Sequence, residues 1–560
     1  MSDDQGALTE HRQRVRVRRI AARVLGTVAV VSLLSALVPR WHARLSLVDT
    51  FLPLVVAGHP HLLSRSAAVA LGFTSIALLV VAGGLRRGLR LAWVLEVGLL
   101  GVTTLLHLLR PASLVPAALT LGGAIWLVTQ RRAFPVLPGR AAVRRTFMLG
   151  LFSLAAGLGG SLGLALIPFR DRIRHTFVAF DHVAAPAGLA AALALALVAL
   201  GTLLGPRNRR APSPADRRSD RERARAVVSR YGSGTLDYFA LRDDKSWFFV
   251  DGTVVAYTVR AGVCLVSPDP VGPVEERAAA WAEFLSYAEG YGWSIAVLGA
   301  TSEWVPVYEA SGLRAVYLGD EAVVDCPGFD LAGGERKSLR QAVNRVAKGG
   351  WTTTFHDPLE LDEDTRAQIL DMYDESRRGT TERGFSMTLS RLFDPLDAGL
   401  LLSVTRSAEG RVDAFCQWVP APSVAGWSLD LMRRRLDVEH LPNGLMDATV
   451  VATINEVAAR GGRGLALNFA VMRQVLEGES DSRLTPLLRP VLERLSQSTQ
   501  MASLSAFNEK FDPAWAPRYV VLDAAEFVAT QALVMADAEG VSELPVIGRF
   551  LGASRTRAAR

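Results

Sequence analysis

The chain has 560 residues, half of them apolar and 21% charged, with a mean hydropathy above zero and a formal net charge of +7. That balance excludes an intrinsically disordered chain, which combines low hydrophobicity with high net charge, and it excludes a wholly soluble protein. Divided at residue 225, the charge separates: 29 Arg, no Lys and 10 acidic residues stand before that point, and 33 basic against 45 acidic residues behind it, giving +19 and −12.

A basic, strongly apolar first part and an acidic second part read as a membrane region joined to a cytosolic one. Six apolar stretches, 20–39, 67–85, 91–109, 112–129, 146–168 and 183–204, approach the length of about 20 residues that crosses a bilayer core as a helix. The first follows Arg12, Arg14, Arg16, Arg18 and Arg19, as in a signal peptide, but the five stretches behind it favour a retained anchor. Loop arginines set orientation because cationic segments resist translocation. The amino end, Arg86 to Arg90, Arg131 to Arg145 and the run Arg207 to Arg225 fall on one side. The expectation is a multi-pass plasma-membrane protein with both termini and the soluble region in the cytoplasm. Arg170, Arg172 and Arg174 dissent, and Leu45 to Val56, interrupted by Asp49 and Pro53, is either interfacial or a seventh crossing that reverses the parity. Glu96 and His107, inside the third stretch, mark either a headgroup or ion path or interhelical hydrogen bonding.

Pro206, Pro212, Pro214 and the eight arginines of 207–225 mark 207–230 as a polybasic linker, which either lies on anionic lipid or serves only as a topology signal. Short β-rich runs and amphipathic helices follow, with room for two domains. Val254 to Val259 and Val263 to Val266 predict a hairpin over Arg260-Ala261-Gly262, then a helix over Glu275 to Glu289, a strand over Ser294 to Leu298, and strands near Arg314 and Ala322. A helix over Glu335 to Lys348 carries Leu339, Ala342, Val343, Val346 and Ala347 at i, i+3, i+4, i+7, i+8. Its Arg336, Lys337, Arg340, Arg345 and Lys348 form either a solvated surface or a stripe that tracks the phosphates of RNA or lipid. Strands over Leu401 to Thr405, Ala414 to Val419 and Trp427 to Leu431, a helix over Gly444 to Arg460 and a strand over Leu465 to Asn468 repeat the earlier order.

The expected fold is a membrane α-helical bundle over 1–206, then an α+β cytosolic region of two tandem acyltransferase-like (GNAT-type) folds, 231–332 and 333–540, the second carrying the site, and a basic tail over 541–560. Cys264, Cys326 and Cys416 are too scattered for a disulfide framework or a zinc site, so no metal is expected. Only His356 and His440 lie beyond residue 225, which makes a Ser-His-Asp hydrolase a poor fit and leaves the chemistry to Asp, Glu, Lys, Arg or Tyr.

Several segments in order carry a resemblance: 244–249 (DKSWFF), 269–273 (DPVGP), 339–345 (LRQAVNR), 430–435 (DLMRRR), 442–447 (PNGLMD) and 508–513 (NEKFDP) with Trp515, Pro517, Arg518 and Tyr519. Together they resemble the lysylphosphatidylglycerol synthase family over roughly 235–525, and ordered blocks are more specific than any single motif. The resemblance implies a membrane region joined to two acyltransferase-type folds that move an amino acid from aminoacyl-tRNA to phosphatidylglycerol. It also implies fewer spans than the larger members, which flip the product as well. The partners would be aminoacyl-tRNA, phosphatidylglycerol and anionic membrane, with a homo-oligomer possible.

The residues suit that chemistry. Aminoacyl-tRNA is an activated ester, so no cofactor or nucleotide site is needed, and no Gly-x-x-x-x-Gly-Lys-Ser/Thr run occurs. Two polyanions, an ammonium and a developing oxyanion call for arginines, a carboxylate and a cation. Asp430 and Arg433, spaced by three at a strand end, supply carboxylate and guanidinium to one pocket or form a local salt bridge. By resemblance, Lys510 joins them as catalytic, converging beside a tunnel between the RNA and membrane sides. Arg434, Arg435, Asn443, Asp447, Arg340, Arg345, Lys245 and Arg518 are the expected substrate contacts. An acyl-CoA-dependent N-acyltransferase is the runner-up and would need a glycine-spaced phosphate nest between the central strand and its helix. A lipid transporter without synthase activity is the third reading.

Overall fold

The computed structural model describes residues 2–37, 65–108, 114–139, 142–149, 194–195, 197–207, 209, 212–377, 385–436, 441–471, 501–523 and 528–538. It divides into two units, 1–210 with 285–294, and 211–284 with 295–560.

In the first unit, helices α1 (Ser2–Leu37), α2 (Arg65–Arg86), α3 (Arg90–Leu108) and α4 (Leu114–Thr129) cover the first four predicted stretches. Their apolar runs pack through Leu25, Ala29, Leu78, Leu85, Ala92 and Leu127. Val94, Leu121, Ile125 and Val128 point outward and are exposed. Among the described residues, no helix is long and apolar enough to cross a membrane. Most of the last two stretches, Leu45 to Val56, Arg170 to Arg174, the His107 side chain and the basic tail lie outside the described residues. Arg14 and Arg18 pair with Glu289, the former at 3.5 Å, so these amino-terminal arginines also have a packing role.

The second unit begins with α5 (Pro214–Tyr231), whose start is set by a capping box: Ser213 Oγ accepts from Asp216 N at 3.2 Å and Asp216 Oδ2 accepts from Ser213 N at 3.3 Å. The predicted polybasic linker is therefore largely an ordered helix of this unit. Strands β1 (Ser246–Val250), β2 (Thr253–Arg260) and β3 (Val263–Val266) follow. Ala261 and Gly262, at φ 48° and 78°, form the turn of the predicted hairpin. Next come α6 (Arg277–Tyr291), β4 (Ser294–Thr301), α7 (Val305–Ala310) and β5 (Arg314–Asp325). The two strands expected near Arg314 and Ala322 are this one long strand.

The amphipathic helix α8 (Lys337–Lys348) buries Leu339, Ala342 and Val346, as its spacing requires. Beyond it lie β6 (Thr352–His356), α9 (Glu363–Arg377), β7 (Leu401–Arg406), β8 (Val412–Ala421), β9 (Gly426–Arg434) and α10 (Leu445–Ala459). The last elements are β10 (Gly464–Val471), α11 (Met501–Glu509), β11 (Ala514–Leu522) and α12 (Val528–Ala538).

All these strands form one 11-stranded sheet in the order β1-β2-β3-β4-β11-β5-β10-β9-β8-β7-β6. Strand β11 lies antiparallel between β4 and β5, and β5 pairs in turn with β10. Each expected half thus lends its last strand to the other, and the boundary expected at 332/333 is crossed by three pairings, β4–β11, β11–β5 and β5–β10. One face packs Cys416, Trp418, Leu429 and Leu465 against Val450 and Ile454 of α10. The other packs Phe415 and Leu431 against Ile369 and Met372 of α9.

Candidate active site

Strands β9 and β10 run parallel but pair only at Leu465↔Trp427 and Ala466↔Ser428. At that point the backbones are in close contact: a Cβ on Gly426 would lie 1.9 Å from the Gly464 carbonyl oxygen. Beyond Ser428, β10 follows β5 and β9 follows β8, so a gap opens at their carboxyl ends. Asp430 stands just past the opening.

Opposite β9, Trp418 pairs with Leu429 and Gln417 with Leu431, so Asp430 is the extra residue of a β-bulge. The bulge breaks the two-residue alternation: Leu429 packs toward α10 and Leu431 toward α9. Asp430 is buried, its Oδ1 accepting from Leu389 N at 2.7 Å and its Oδ2 from Gln417 Nε2 at 2.6 Å. Burial pushes its carboxyl up to about 6, against the pull of hydrogen bonds from Gln417, Leu389 and Thr388. Arg433, half-buried, donates to its neighbour's carbonyl at Met432 and makes no salt bridge with Asp430. Arg434 is exposed, while Arg435 bonds the Val412 carbonyl at 2.9 Å and pairs with Asp371 at 3.2 Å.

A second group gathers where α8 meets the start of α10. Arg345 Nη1 donates to the Asn443 carbonyl at 2.8 Å, and Lys510 Nζ pairs with Asp447, in the first turn of α10, at 2.9 Å. Arg336 reaches Asp512 at 2.7 Å. Arg340 instead holds the carbonyls of Leu331 and Gly333. Three separate sequence motifs thus converge here, and Lys510 takes Asp447 rather than Asp430 as its partner. Gly444 makes the approach possible: its φ is 89°, and a Cβ would stand 2.4 Å from the Ala342 Cβ. Gly444→Ala is expected to cost about 1–2 kcal/mol for the left-handed backbone, and more for the clash. Thermal unfolding measures it, and the displaced α8 would also lose the Arg345–Asn443 bond.

Two expected substrate contacts lie in the interior. Lys245, 1% exposed, donates to the carbonyls of Phe239 at 2.9 Å and Ser267 at 2.7 Å and lies over the Phe385 ring. Arg518 is buried against Glu321 and Thr235 on the exchanged strand. Nearby, Asp269 accepts from Tyr308 at 2.6 Å and from Thr301 at 2.8 Å, and burial pushes its carboxyl up to about 6. Both cations satisfy interior oxygens. Sequence reasoning missed Gln417, Leu389 and Glu321, because no spacing relates them to their partners.

Residues 225–522 match the family model described as phosphatidylglycerol lysyltransferase, C-terminal. The lysylphosphatidylglycerol biosynthesis bifunctional protein LysX of Rhodococcus jostii is 35% identical over 338 residues, 59% of this chain and 30% of that protein. LysX of Mycolicibacterium gilvum is 33% identical over 446 residues, 78% of this chain and 39% of that protein. The chain therefore spans about a third of the length of these curated relatives. The solved structure of L-PGS from Bacillus licheniformis is similar in fold, with a TM-score of 0.51 and 24% identity over 57% of this chain and 96% of that one.

Proposed function

The chain belongs to the phosphatidylglycerol lysyltransferase C-terminal family, and from that membership we propose that it transfers an amino acid from aminoacyl-tRNA to the glycerol hydroxyl of phosphatidylglycerol. A bond forms between the glycerol oxygen and the aminoacyl carbonyl carbon, and the bond to the ribose oxygen breaks. The proton passes from one hydroxyl to the other, so the step balances without an added reactant. The observation that carries the reading is the convergence of Arg345, Asn443, Asp447 and Lys510 at the start of α10, the helix that follows the strand β9 bearing Asp430 and Arg433. Asp430 supplies the carboxylate for the amine or attacking hydroxyl, and Arg433 and Lys510 supply cations for the oxyanion and phosphate. The product, a lipid carrying an added ammonium, lowers the negative charge of the membrane.

The two halves of the sheet are read as tandem acyltransferase-type folds that exchange a strand. The first unit is read as the membrane region, with the second in the cytoplasm where charged tRNA is found. Its outward Val94, Leu121, Ile125 and Val128 support this. So does a cleft of about 630 Å³ lined by Arg144, Arg145, Met148, Leu149 and Thr202, which joins cations to apolar surface as an anionic lipid requires.

Purified protein incubated with phosphatidylglycerol and a panel of charged tRNAs is expected to yield an aminoacylated lipid detectable by mass spectrometry. Product from acyl-CoA and an amine, with none from any charged tRNA, would favour the N-acyltransferase reading instead. The exposed Lys337 and Lys348 of α8 belong to the RNA side. Lys337→Gln with Lys348→Gln is expected to weaken tRNA binding and to flatten the slope of log affinity against log salt by about 1–2, at about 0.7–0.9 per lost phosphate contact. An unchanged slope would return α8 to a plain solvated face.

A further inference from the structure

Arg221 and Arg225 lie one turn apart on α5, in the basic run read as either a lipid contact or a topology signal. Arg221 reaches Asp243 at 3.1 Å, Asp394 at 2.8 Å and Asp397 at 3.8 Å, and Arg225 reaches Asp397 at 3.7 Å. Their side chains are 14% and 17% exposed, which leaves little charge to offer a membrane surface. Arg391 meets the same carboxylates from the other side, gripping Asp397 with Nε and Nη2 at 2.7 Å each and Asp243 at 3.3 Å. Tyr238 completes the cluster, donating to the Ala398 carbonyl at 3.2 Å. Three guanidiniums thus face three aspartates, and partial burial protects the attraction from salt.

The loop held by this cluster is the one that holds Asp430. Leu389 N donates to Asp430 Oδ1, and the Arg391 carbonyl accepts from Gln417 Nε2 at 3.1 Å, aligning the amide that also bonds Asp430 Oδ2. The same loop contains Ser390 at φ 59° and Phe393 at φ 57°, left-handed conformations that cost a non-glycine residue about 1–2 kcal/mol each. A loop so strained persists only where its surroundings over-determine it, and the charge cluster does so.

We infer that helix α5 is a positioning element of the Asp430 pocket, acting through Arg221 on Asp394 and Asp397 and through the loop 385–397 on the carboxylate. The inference rests on the transferase reading. It also separates two kinds of arginine in one basic run: Arg221 and Arg225 serve the pocket, whereas the exposed Arg218 is available to an anionic surface.

The test uses the full chain in detergent–phosphatidylglycerol micelles, where no vesicle surface is needed. Arg221→Gln is expected to lower kcat about tenfold or more, with KM for both substrates within about twofold and flotation with anionic vesicles unchanged. Amide exchange at Leu389 should quicken. Arg218→Gln is expected to do the reverse, keeping kcat in micelles and weakening flotation in a salt-dependent way. Asp394→Asn perturbs the cluster from the loop side and should reproduce the Arg221→Gln result, so the inference stands even where Arg221→Gln fails to fold. Full kcat in Arg221→Gln or Asp394→Asn, or a loss of kcat without faster exchange in 385–397, would overturn it. Wild-type protein inactive with every charged tRNA would defeat the transferase reading alone, because exchange at Leu389 still reports on the cluster.

Discussion

Asp430→Asn is expected to reduce transfer by about two orders of magnitude or more, the range lost when a positioned acid or base is removed. The reason is visible in two of its contacts. Both carboxylate oxygens accept from N–H donors, Leu389 N and Gln417 Nε2, so an asparagine must turn its NH2 toward one of them. Rotating the Gln417 amide does not relieve the conflict, since its oxygen would then face the Arg391 carbonyl that its nitrogen now bonds. The variant therefore loses charge and loosens the loop, at a cost of about 1–3 kcal/mol for an unmatched buried donor.

The pH profile separates the two effects. With a folded-state value of about 6, the wild-type carboxylate protonates as pH falls through that point, so kcat/KM should decline there, while the asparagine variant should show no such limb. Stability runs the other way. The folded value lies above the ordinary 3.8, so the cost of burying the charge is absent below about pH 4, develops as pH rises, and is complete above about pH 6. The wild type should lose on the order of 3 kcal/mol relative to Asp430→Asn across that window, as urea unfolding at pH 4 and pH 7 would measure. A flat acid limb in the wild type would remove Asp430 as the ionising group.

Arg518→Leu is expected to be the most destabilising single change in the second unit. Arg518 is 6% exposed and Glu321 2% exposed, and their ion pair joins the exchanged strand β11 to β5. Asp237 and Asp269 are close enough that the guanidinium pulls their carboxyls down against burial. Leucine would leave buried carboxylates without their cation. Breaking one side of such a pair costs about 3–5 kcal/mol, a large part of a typical domain's margin of about 5–15. Since β11 bridges both halves of the sheet, thermal unfolding should show one cooperative loss. Arg518→Leu combined with Glu321→Leu should recover much of it, because an apolar pair of similar volume costs far less than a lone buried charge. A double variant no more stable than the single one would mean that Arg518 serves the neighbouring aspartates as much as Glu321.

Sequence alone determined whatever depends on neighbouring residues. The charge break at residue 225, the Ala261-Gly262 turn, the apolar stripe of α8 and the strand–helix–strand order around α10 all follow from local periodicity and turn chemistry. The motif residues Arg345, Asn443, Asp447 and Lys510 could be marked as a set, though not as neighbours. Tertiary structure decided the rest. That β11 inserts between β4 and β5 is settled by pairing that leaves no interior strand unmatched, and hydrophobic patterning does not specify that place. A single bulge at Asp430 reverses the facing of every later residue in β9, so alternation could not foretell where Arg433 points. In the linear sequence Lys245 and Arg518 read as substrate contacts and Arg221 as one of a basic run. Folding supplies carbonyls and carboxylates from distant segments, and because a buried charge is tolerable only beside such partners, the packing rather than the motif assigns these three their work.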